Sequence, residues 1–184
     1  MKFKVCVILC IVVCIAGCSR RSNEANSDSS ISSVDTMSAG GERTNNEAAI
    51  RALIEKYVTA IRASDIEGVL SVYAPDFVAF DVIPPLEYVG AQAYRKPWQE
   101  FFNLYQSPIG YEVRDLSIAA GDDVAFSHSL VHLDATMKNG RKTNMWLRWT
   151  AGYRKVNGKW LISHVQVSVP VDLASGNAKL DLKP

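Results

Sequence analysis

The stretch from Asp123 to Asp172 constrains the fold most, because it predicts three antiparallel strands joined by two tight turns. Each turn is centred on an Asn-Gly pair, Asn139-Gly140 in the first and Asn157-Gly158 in the second. Asn-Gly tolerates the positive φ angles of a two-residue hairpin turn and is the strongest short hairpin signal in a sequence. We therefore predict two consecutive hairpins, each with a two-residue turn.

Two-residue turns also fix the register of the strands beside them. Counting outward places His128 opposite Ala151, and Ala151 opposite His164. Directly opposite residues share a face of a sheet, so both histidines are expected on one face. The next rows on that face would be Leu130, Trp149 and Gln166, then His132, Leu147 and Ser168. This large, aromatic and partly polar face is predicted to form the floor of a pocket.

The opposite face of the predicted sheet carries Trp146 and Arg148. Tryptophan and arginine are enriched at protein interfaces, so this outer face is expected to join two copies of the chain in a homodimer. A cation–π pair between exposed side chains is the alternative.

Charge and cysteine content exclude several kinds of partner and chemistry. The formal net charge is +1, and residues 45–184 carry equal numbers of basic and acidic side chains, so no nucleic-acid partner is predicted. All four cysteines lie within the first 18 residues, which leaves the rest of the chain without a thiol nucleophile or a disulfide. The sequence has no glycine-rich phosphate loop and no Gly-x-Ser-x-Gly motif. We predict no cofactor.

A metal site is not predicted either. The two histidines would lie two strands apart, with backbones ~9–10 Å from each other. The register places no carboxylate beside them that could complete a set of ligands.

The N-terminus has the features of a targeting segment. Lys2 and Lys4 precede an apolar run from Val5 to Ala16, which is too short to span a bilayer. The residues Ile15-Ala16-Gly17-Cys18 resemble a bacterial lipobox, which implies that residues 1–17 are a signal peptide and that Cys18 is lipidated. Ser19 then favours the periplasmic side of the outer membrane. The alternatives are an ordinary signal peptide or an uncut membrane anchor.

The rest of the chain divides into a tether and one folded domain. Residues 18–44 are rich in Ser, Asn and Gly and predict a lipidated cysteine followed by a flexible segment. Residues 45–184 predict the domain. Its first helix is expected from Asn46 to Ala63, its second from an Asp65 cap to Pro75, and its third over residues 91–106.

Strands are expected over residues 77–82, 86–89 and 110–118, before the two hairpins. Helices come first and most strands last, which predicts an α+β domain with the helices on one face of the sheet.

This order, with several short motifs, resembles the SnoaL-like and ketosteroid isomerase-like branch of the nuclear transport factor 2-like superfamily. The resemblance covers residues 47–172 and implies a cone-shaped roll, in which a strongly curved, mainly antiparallel sheet wraps three helices. The motifs are Lys56-Tyr57-Val58, Ser64-Asp65-Ile66-Glu67-Gly68, Tyr73-Ala74-Pro75-Asp76 and Gly158-Lys159-Trp160, with Ile162 and His164.

The resemblance can be followed to the positions that carry isomerase chemistry. That reaction uses a carboxylate base together with a tyrosine and a protonated aspartate that stabilise an enolate oxygen. The base position matches Asp81 and the tyrosine position matches Tyr57, but the aspartate position falls at or beside Ala151. In the predicted register His128 or His164 could supply the missing hydrogen bond.

Two functions therefore remain open. The domain either binds a small apolar or polycyclic molecule, or it is an isomerase- or lyase-like enzyme without a metal. The alternative roles are structural: Asp81 could face solvent, and Tyr57 could be a core tyrosine. The candidate catalytic residues are Asp81, Tyr57 and His164, and the candidate ligand-binding residues are His128, Trp98, Trp149, Gln166 and Tyr73.

Overall fold

A computed structural model describes residues 32–184, with side chains from residue 41 onward. The predicted signal peptide and Cys18 lie outside the described residues. The helices are α1 (Ser32–Ala63), α2 (Ile66–Leu70) and α3 (Arg95–Leu104). The strands are β1 (Tyr73–Phe80), β2 (Tyr88–Val89), β3 (Gly110–Ala120), β4 (Val124–Thr136), β5 (Lys142–Val156) and β6 (Lys159–Ser168).

The six strands form one open sheet in the order β2-β1-β6-β5-β4-β3. All neighbours pair antiparallel except β1 and β6, which are parallel. The core lies between one face of this sheet and the helices. The predicted α+β class is confirmed, with a sheet that is mixed because the first strand pairs with the last.

Helix α1 already begins at Ser32, before the predicted start at Asn46. The side chains of residues 41–45 are exposed, and the helix first meets the core at Asn46. The apolar spacing used for the prediction starts where packing starts, so it gives no sign of the earlier turns. None of the described helices is both long enough and apolar enough to cross a bilayer.

The second helix is shorter than predicted. Asp65 caps it as expected, accepting a hydrogen bond from Gly68 N at 2.9 Å, but the helix ends at Leu70. Tyr73 instead begins β1 opposite Ile162 of β6, and an irregularity before Val78 accommodates Pro75. Strand pairing therefore overrides the helical spacing. Helix α3 is also shorter than predicted, since it spans Arg95–Leu104 and not residues 91–106.

The first Asn-Gly turn has three residues, not two. Met137 N donates to Arg141 O at 2.7 Å, and Gly140 N donates back to Met137 O at 2.9 Å. Gly140 has a φ of 86°, whereas Asn139 is not among the residues with positive φ. This is the common hairpin in which a residue in the left-handed region follows a tight turn. The predicted register of β4 and β5 is therefore wrong by one residue.

The second turn has the predicted two residues. Asn157 and Gly158 both have positive φ, and Val156 pairs with Lys159. However, the register of β5 and β6 shifts at Ser163, so that Ala151 lies opposite Val165 and not opposite His164. This irregularity lies five residues beyond the turn that sets the register, so counting from the turn does not detect it.

Together the two shifts exchange the faces predicted for β4 and for the part of β6 after Ser163, whereas β5 keeps its predicted faces. Ser127, Ala151 and Val165 form a row on the buried face, and Ser129, Trp149 and Val167 form the next. His128 lies opposite Thr150 on the other face. Trp149 and Gln166, predicted as neighbours, therefore point to opposite sides of the sheet.

Candidate functional site

A cluster of aromatic side chains fills the space between the buried face of the sheet and the helices. Tyr57 of α1 lies near its centre, with its ring stacked against Trp149 at 6.1 Å between centroids and 18° between planes. Trp98 of α3 and Tyr73 of β1 each approach Tyr57 edge-on at 5.9 Å. Phe77 stacks on Tyr73 at 4.0 Å between centroids. Four predicted site residues, Tyr57, Tyr73, Trp98 and Trp149, thus meet in one cluster.

Hydrogen bonds link three members of this aromatic cluster. Trp98 Nε1 donates to the Tyr73 hydroxyl at 3.3 Å, and the Tyr73 and Tyr57 hydroxyls are 3.1 Å apart. All three side chains are less than 10 % exposed. These two hydrogen bonds connect α3 to β1 and β1 to α1, so they join three elements across the cluster.

Burial sets the acidity of these hydroxyls. It raises the pKa of Tyr57 and of Tyr73 above the usual value for tyrosine, because a buried phenolate loses its hydration. The pKa of Tyr94 and of Tyr111 is raised for the same reason, and the negative charge of Asp81 raises both further. The hydroxyl groups of these tyrosines therefore stay protonated and uncharged, and they can donate hydrogen bonds.

Asp81 lies at the edge of the aromatic cluster, directly after β1, and is partly buried. One carboxylate oxygen accepts from Val82 N at 2.6 Å and the other accepts from the Tyr94 hydroxyl. The Tyr94 ring in turn lies 5.9 Å from that of Tyr73 and 6.0 Å from that of Trp98. Tyr94 is thus the link between the carboxylate and the interior.

The three other predicted site residues lie on the outer face of the sheet. His164 pairs with Gly152 and Val78, and its Nδ1 is 3.0 Å from Val78 O. His128 and Gln166 are exposed on the same side. The predicted pocket floor with Ala151 between two histidines is therefore wrong, because Ala151 faces the core. His164 is not brought together with Asp81 and Tyr57.

The outer face carries an aromatic stack of its own. Trp146 stacks on His132 at 4.5 Å and 11°, and the Arg114 guanidinium lies 5.6 Å from the Trp146 ring. The predicted cation–π pair exists with Arg114 of β3 as the cation in place of Arg148. Pairing of two copies through this face stays a prediction.

A groove of about 460 Å³ lies outside the aromatic cluster, between α1 and β3. Its charged lining is balanced, with Arg51 and Arg62 against Glu55 and Glu112. Among the residues that the structure describes, no group of three or more histidines, cysteines or acidic residues is arranged to hold a metal ion. The groove holds none of the predicted site residues.

Sequence patterns did not single out Tyr94 or Tyr111 as site residues. Tyr94 immediately precedes α3 and looks like one more apolar position of that helix, since only the fold brings it to Asp81. Tyr111 is the second residue of β3, and strand alternation alone would place it on either face. A pattern that could have found Tyr94 is its place on the same apolar stripe as Trp98.

Comparison with known proteins gives the family. The model of the SnoaL-like domain matches residues 50–172. The chain belongs to the SnoaL-like family. A nuclear transport factor 2-like protein of unknown function from Pseudomonas putida is 35 % identical to this SnoaL-like chain, with a TM-score of 0.70. The match covers 77 % of this chain and 98 % of that one.

A second solved structure extends the likeness. A ketosteroid isomerase-like protein from Erwinia carotovora is 25 % identical, with a TM-score of 0.58, over 66 % of this SnoaL-like chain and 93 % of that one. A search of curated proteins found no match. The resemblance stated from the sequence is therefore confirmed at the level of the family.

Proposed function

We propose that this domain binds a small, largely apolar molecule between the buried face of its sheet and the helices, with Tyr57 and Asp81 orienting the guest. The observation that carries the proposal is a buried hydroxyl proton without an acceptor. Trp98 can only donate, so its proton is used on Tyr73. The contact between Tyr73 and Tyr57 uses one of their two hydroxyl protons. One hydroxyl proton is left over, whichever way the pair is ordered.

No other described residue accepts that proton. A buried donor without a partner costs on the order of 1–3 kcal/mol, so a site of this kind favours a guest that brings an acceptor. The surrounding rings offer flat apolar surface to the rest of such a molecule. A polycyclic guest with one hydrogen-bonding oxygen fits both features.

Entry of a guest requires part of the cluster to move, because its rings already touch one another. Helix α3 is the element best suited to move. Trp98 is its only buried residue, while Phe101 and Phe102 remain partly exposed. The segment between β1 and β2 that leads to it is exposed from residue 82 to residue 87. We propose that α3 and this segment form the wall that opens.

An isomerase- or lyase-like reaction is the second candidate function. Asp81 lies close enough to the interior to raise the pKa of Tyr73, Tyr94 and Tyr111 by its charge. Asp81 would then act as the base and Tyr57 as the donor that stabilises the oxygen, and the reaction would not need His164. Binding remains our first proposal, because both oxygens of Asp81 already accept hydrogen bonds.

Native mass spectrometry of the chain purified from its own host tests the binding proposal. We expect a defined small-molecule mass to accompany the protein, and the Tyr57→Phe variant to retain about fivefold less of it at equal concentration. A chain that arrives empty and also fails to bind 2-acetylnaphthalene in calorimetric titration would contradict the proposal.

The Asp81→Asn variant separates the two candidate functions. For a binding domain we expect the affinity for the retained guest to fall by less than about tenfold. For an enzyme we expect turnover of that guest to fall by about 100-fold or more, with the melting temperature unchanged. Asp76→Asn is the matched control. Asp76 lies within β1, close in sequence to Asp81, but it pairs with Arg154 on the surface.

We also propose that the domain is held at the cell envelope by a lipid on Cys18. The support is the lipobox-like sequence, since this region lies outside the described residues. Replacing Cys18 by serine should block lipidation and removal of residues 1–17, so that no mature membrane-bound form is made. A Cys18→Ser chain that is still processed and still fractionates with membranes would show that the anchor is something else.

A further inference from the structure

We infer that Trp149 Nε1 and Ser129 Oγ form a second hydrogen-bonding position in this site, which receives an uncharged oxygen of the guest. The inference rests on the proposed binding function and adds the side of the site formed by the sheet. It names a pair of residues that act on the guest independently of Tyr57.

The pair consists of two buried polar groups that lack a partner. Trp149 is 2 % exposed and Ser129 is 6 % exposed, yet neither Trp149 Nε1 nor Ser129 Oγ has a hydrogen bond. The two residues are directly opposite each other on β4 and β5. Their side chains therefore leave the sheet on the same buried face, with Cβ atoms about 5 Å apart.

A neighbouring serine shows that this face can satisfy its polar groups. Ser127 lies two residues before Ser129 on the same face and is fully buried, but its hydroxyl is 2.7 Å from the Tyr153 hydroxyl. Trp160, also buried, donates its indole N–H to Asn46 at 3.4 Å. Ser64 Oγ and Arg154 Nε also lack a partner, but Ser129 and Trp149 are the two such residues whose side chains lie on the buried face of the sheet among the described residues.

The chemistry of the pair selects an acceptor. An indole N–H can only donate, and a serine hydroxyl can donate beside it, so one oxygen could take both protons. That oxygen should be uncharged. No arginine or lysine is among the groups that shift the pKa of Tyr57, whereas the charge of Asp81 raises the pKa of Tyr73. A carbonyl attached to a flat ring system fits this environment.

Stacking gives the position of the ring system. The Trp149 ring lies nearly parallel to Tyr57, at 18° between planes, and both rings are buried. A flat guest that enters this stack would bring its oxygen to the edge of the indole, where the N–H lies. Tyr57 and the pair would then hold the guest from the helix side and the sheet side.

Two probes of matched shape test the pair in the full-length chain. 2-Acetylnaphthalene carries a carbonyl oxygen, and 2-ethylnaphthalene lacks it. Calorimetric titration should give about tenfold tighter binding of the ketone to the unmodified protein. Trp149→Phe and Ser129→Ala should each reduce that preference by about threefold or more, chiefly by weakening the ketone.

The matched controls are Trp160→Phe and Ser127→Ala, which remove the same groups where they are already paired. Both should leave the preference for the ketone unchanged. Without a guest, the control variant should have the larger effect. Ser127→Ala should lower the melting temperature, because it leaves the Tyr153 hydroxyl unpaired, whereas Ser129→Ala should not.

The outcomes separate this inference from the proposed function. Equal binding of both probes would overturn the inference and leave the binding function in place, as would a preference that Trp149→Phe and Ser129→Ala do not alter. In those cases water or no group at all satisfies the pair. Failure of both probes to bind would count against the proposed function and would overturn this inference with it.

Discussion

Raising the pH above about 10 is expected to unfold the domain within about two pH units. Burial raises the pKa of five buried tyrosines in the folded chain, which are Tyr57, Tyr73, Tyr94, Tyr111 and Tyr153. In the unfolded chain the same side chains lose their protons near pH 10. Above that pH the unfolded state binds fewer protons than the folded state, so the free energy of unfolding falls as the pH rises.

The size of this effect follows from the number of tyrosines. Each contributes about 1.4 kcal/mol per pH unit once its unfolded form is ionised, so five contribute about 7 kcal/mol per unit. Domains are typically stable by about 5–15 kcal/mol, and the loss would therefore exhaust the stability of this one soon above pH 10. The stabilisation from these protonated tyrosines is fully present below pH 10. It is lost as the pH rises from about 10 toward the raised pKa values of the folded state.

Phenolate absorbance and circular dichroism, recorded together during an alkaline titration, check this expectation. Most of the phenolate signal should appear at the same pH as the loss of secondary structure. The Tyr111→Phe variant removes one of the five groups and should make the decline of stability with pH shallower by about 1.4 kcal/mol per unit. Full phenolate formation in a chain that keeps its native spectrum would refute the expectation.

Replacing Gly110 by alanine is expected to cost about 3 kcal/mol or more of the free energy of unfolding. Gly110 begins β3 opposite Asp134, and a Cβ atom there would lie 2.2 Å from the backbone oxygen of Asp134. A backbone oxygen inside a strand pair cannot move without moving the strand. The start of β3 would therefore have to separate from β4.

Gly152→Ala is the matched control, because Gly152 is also a strand glycine and its Cβ would meet only ordinary contacts, at 3.6 Å and beyond. We expect its stability to stay within about 0.5 kcal/mol of the unmodified protein. Urea unfolding midpoints measure both changes. If Gly110→Ala unfolds at the same urea concentration as Gly152→Ala, then β3 is not held against β4 at that residue.

Local signals predicted much of the fold. The Asp65 cap, the Asn157-Gly158 turn and the helical spacing after Asn46 depend on residues close in sequence, and the structure has each of them. Whether Asn139-Gly140 forms a two- or a three-residue turn depends on a small difference in backbone energy. That difference is not visible in the dipeptide, although it decides which residues of β4 share the buried face with Trp149 and Ala151 of β5.

The candidate site could be predicted only in part. Tyr57 and Trp98 are apolar-stripe residues of helices that must cover the sheet, so their meeting follows from the α+β arrangement, whereas Tyr73 joins them from β1. The histidines were misplaced because their faces depend on the turn and on the shift at Ser163. The same one-residue difference in the first turn brings Ser129 beside Trp149 in the interior, whereas a two-residue turn would face it outward.

The parallel pairing of β1 with β6 has a consequence for the order in which the molecule can fold. β1 has only the two-residue β2 as its other neighbour, and Asn46 at the start of the packed part of α1 is bonded to Trp160 and to Gly121. These contacts join residues far apart in sequence, which slows folding because long loops must close first. A nascent chain has made α1 and β1 long before Lys159 leaves the ribosome. We therefore expect the domain to acquire its protease-resistant state only once its synthesis is nearly complete.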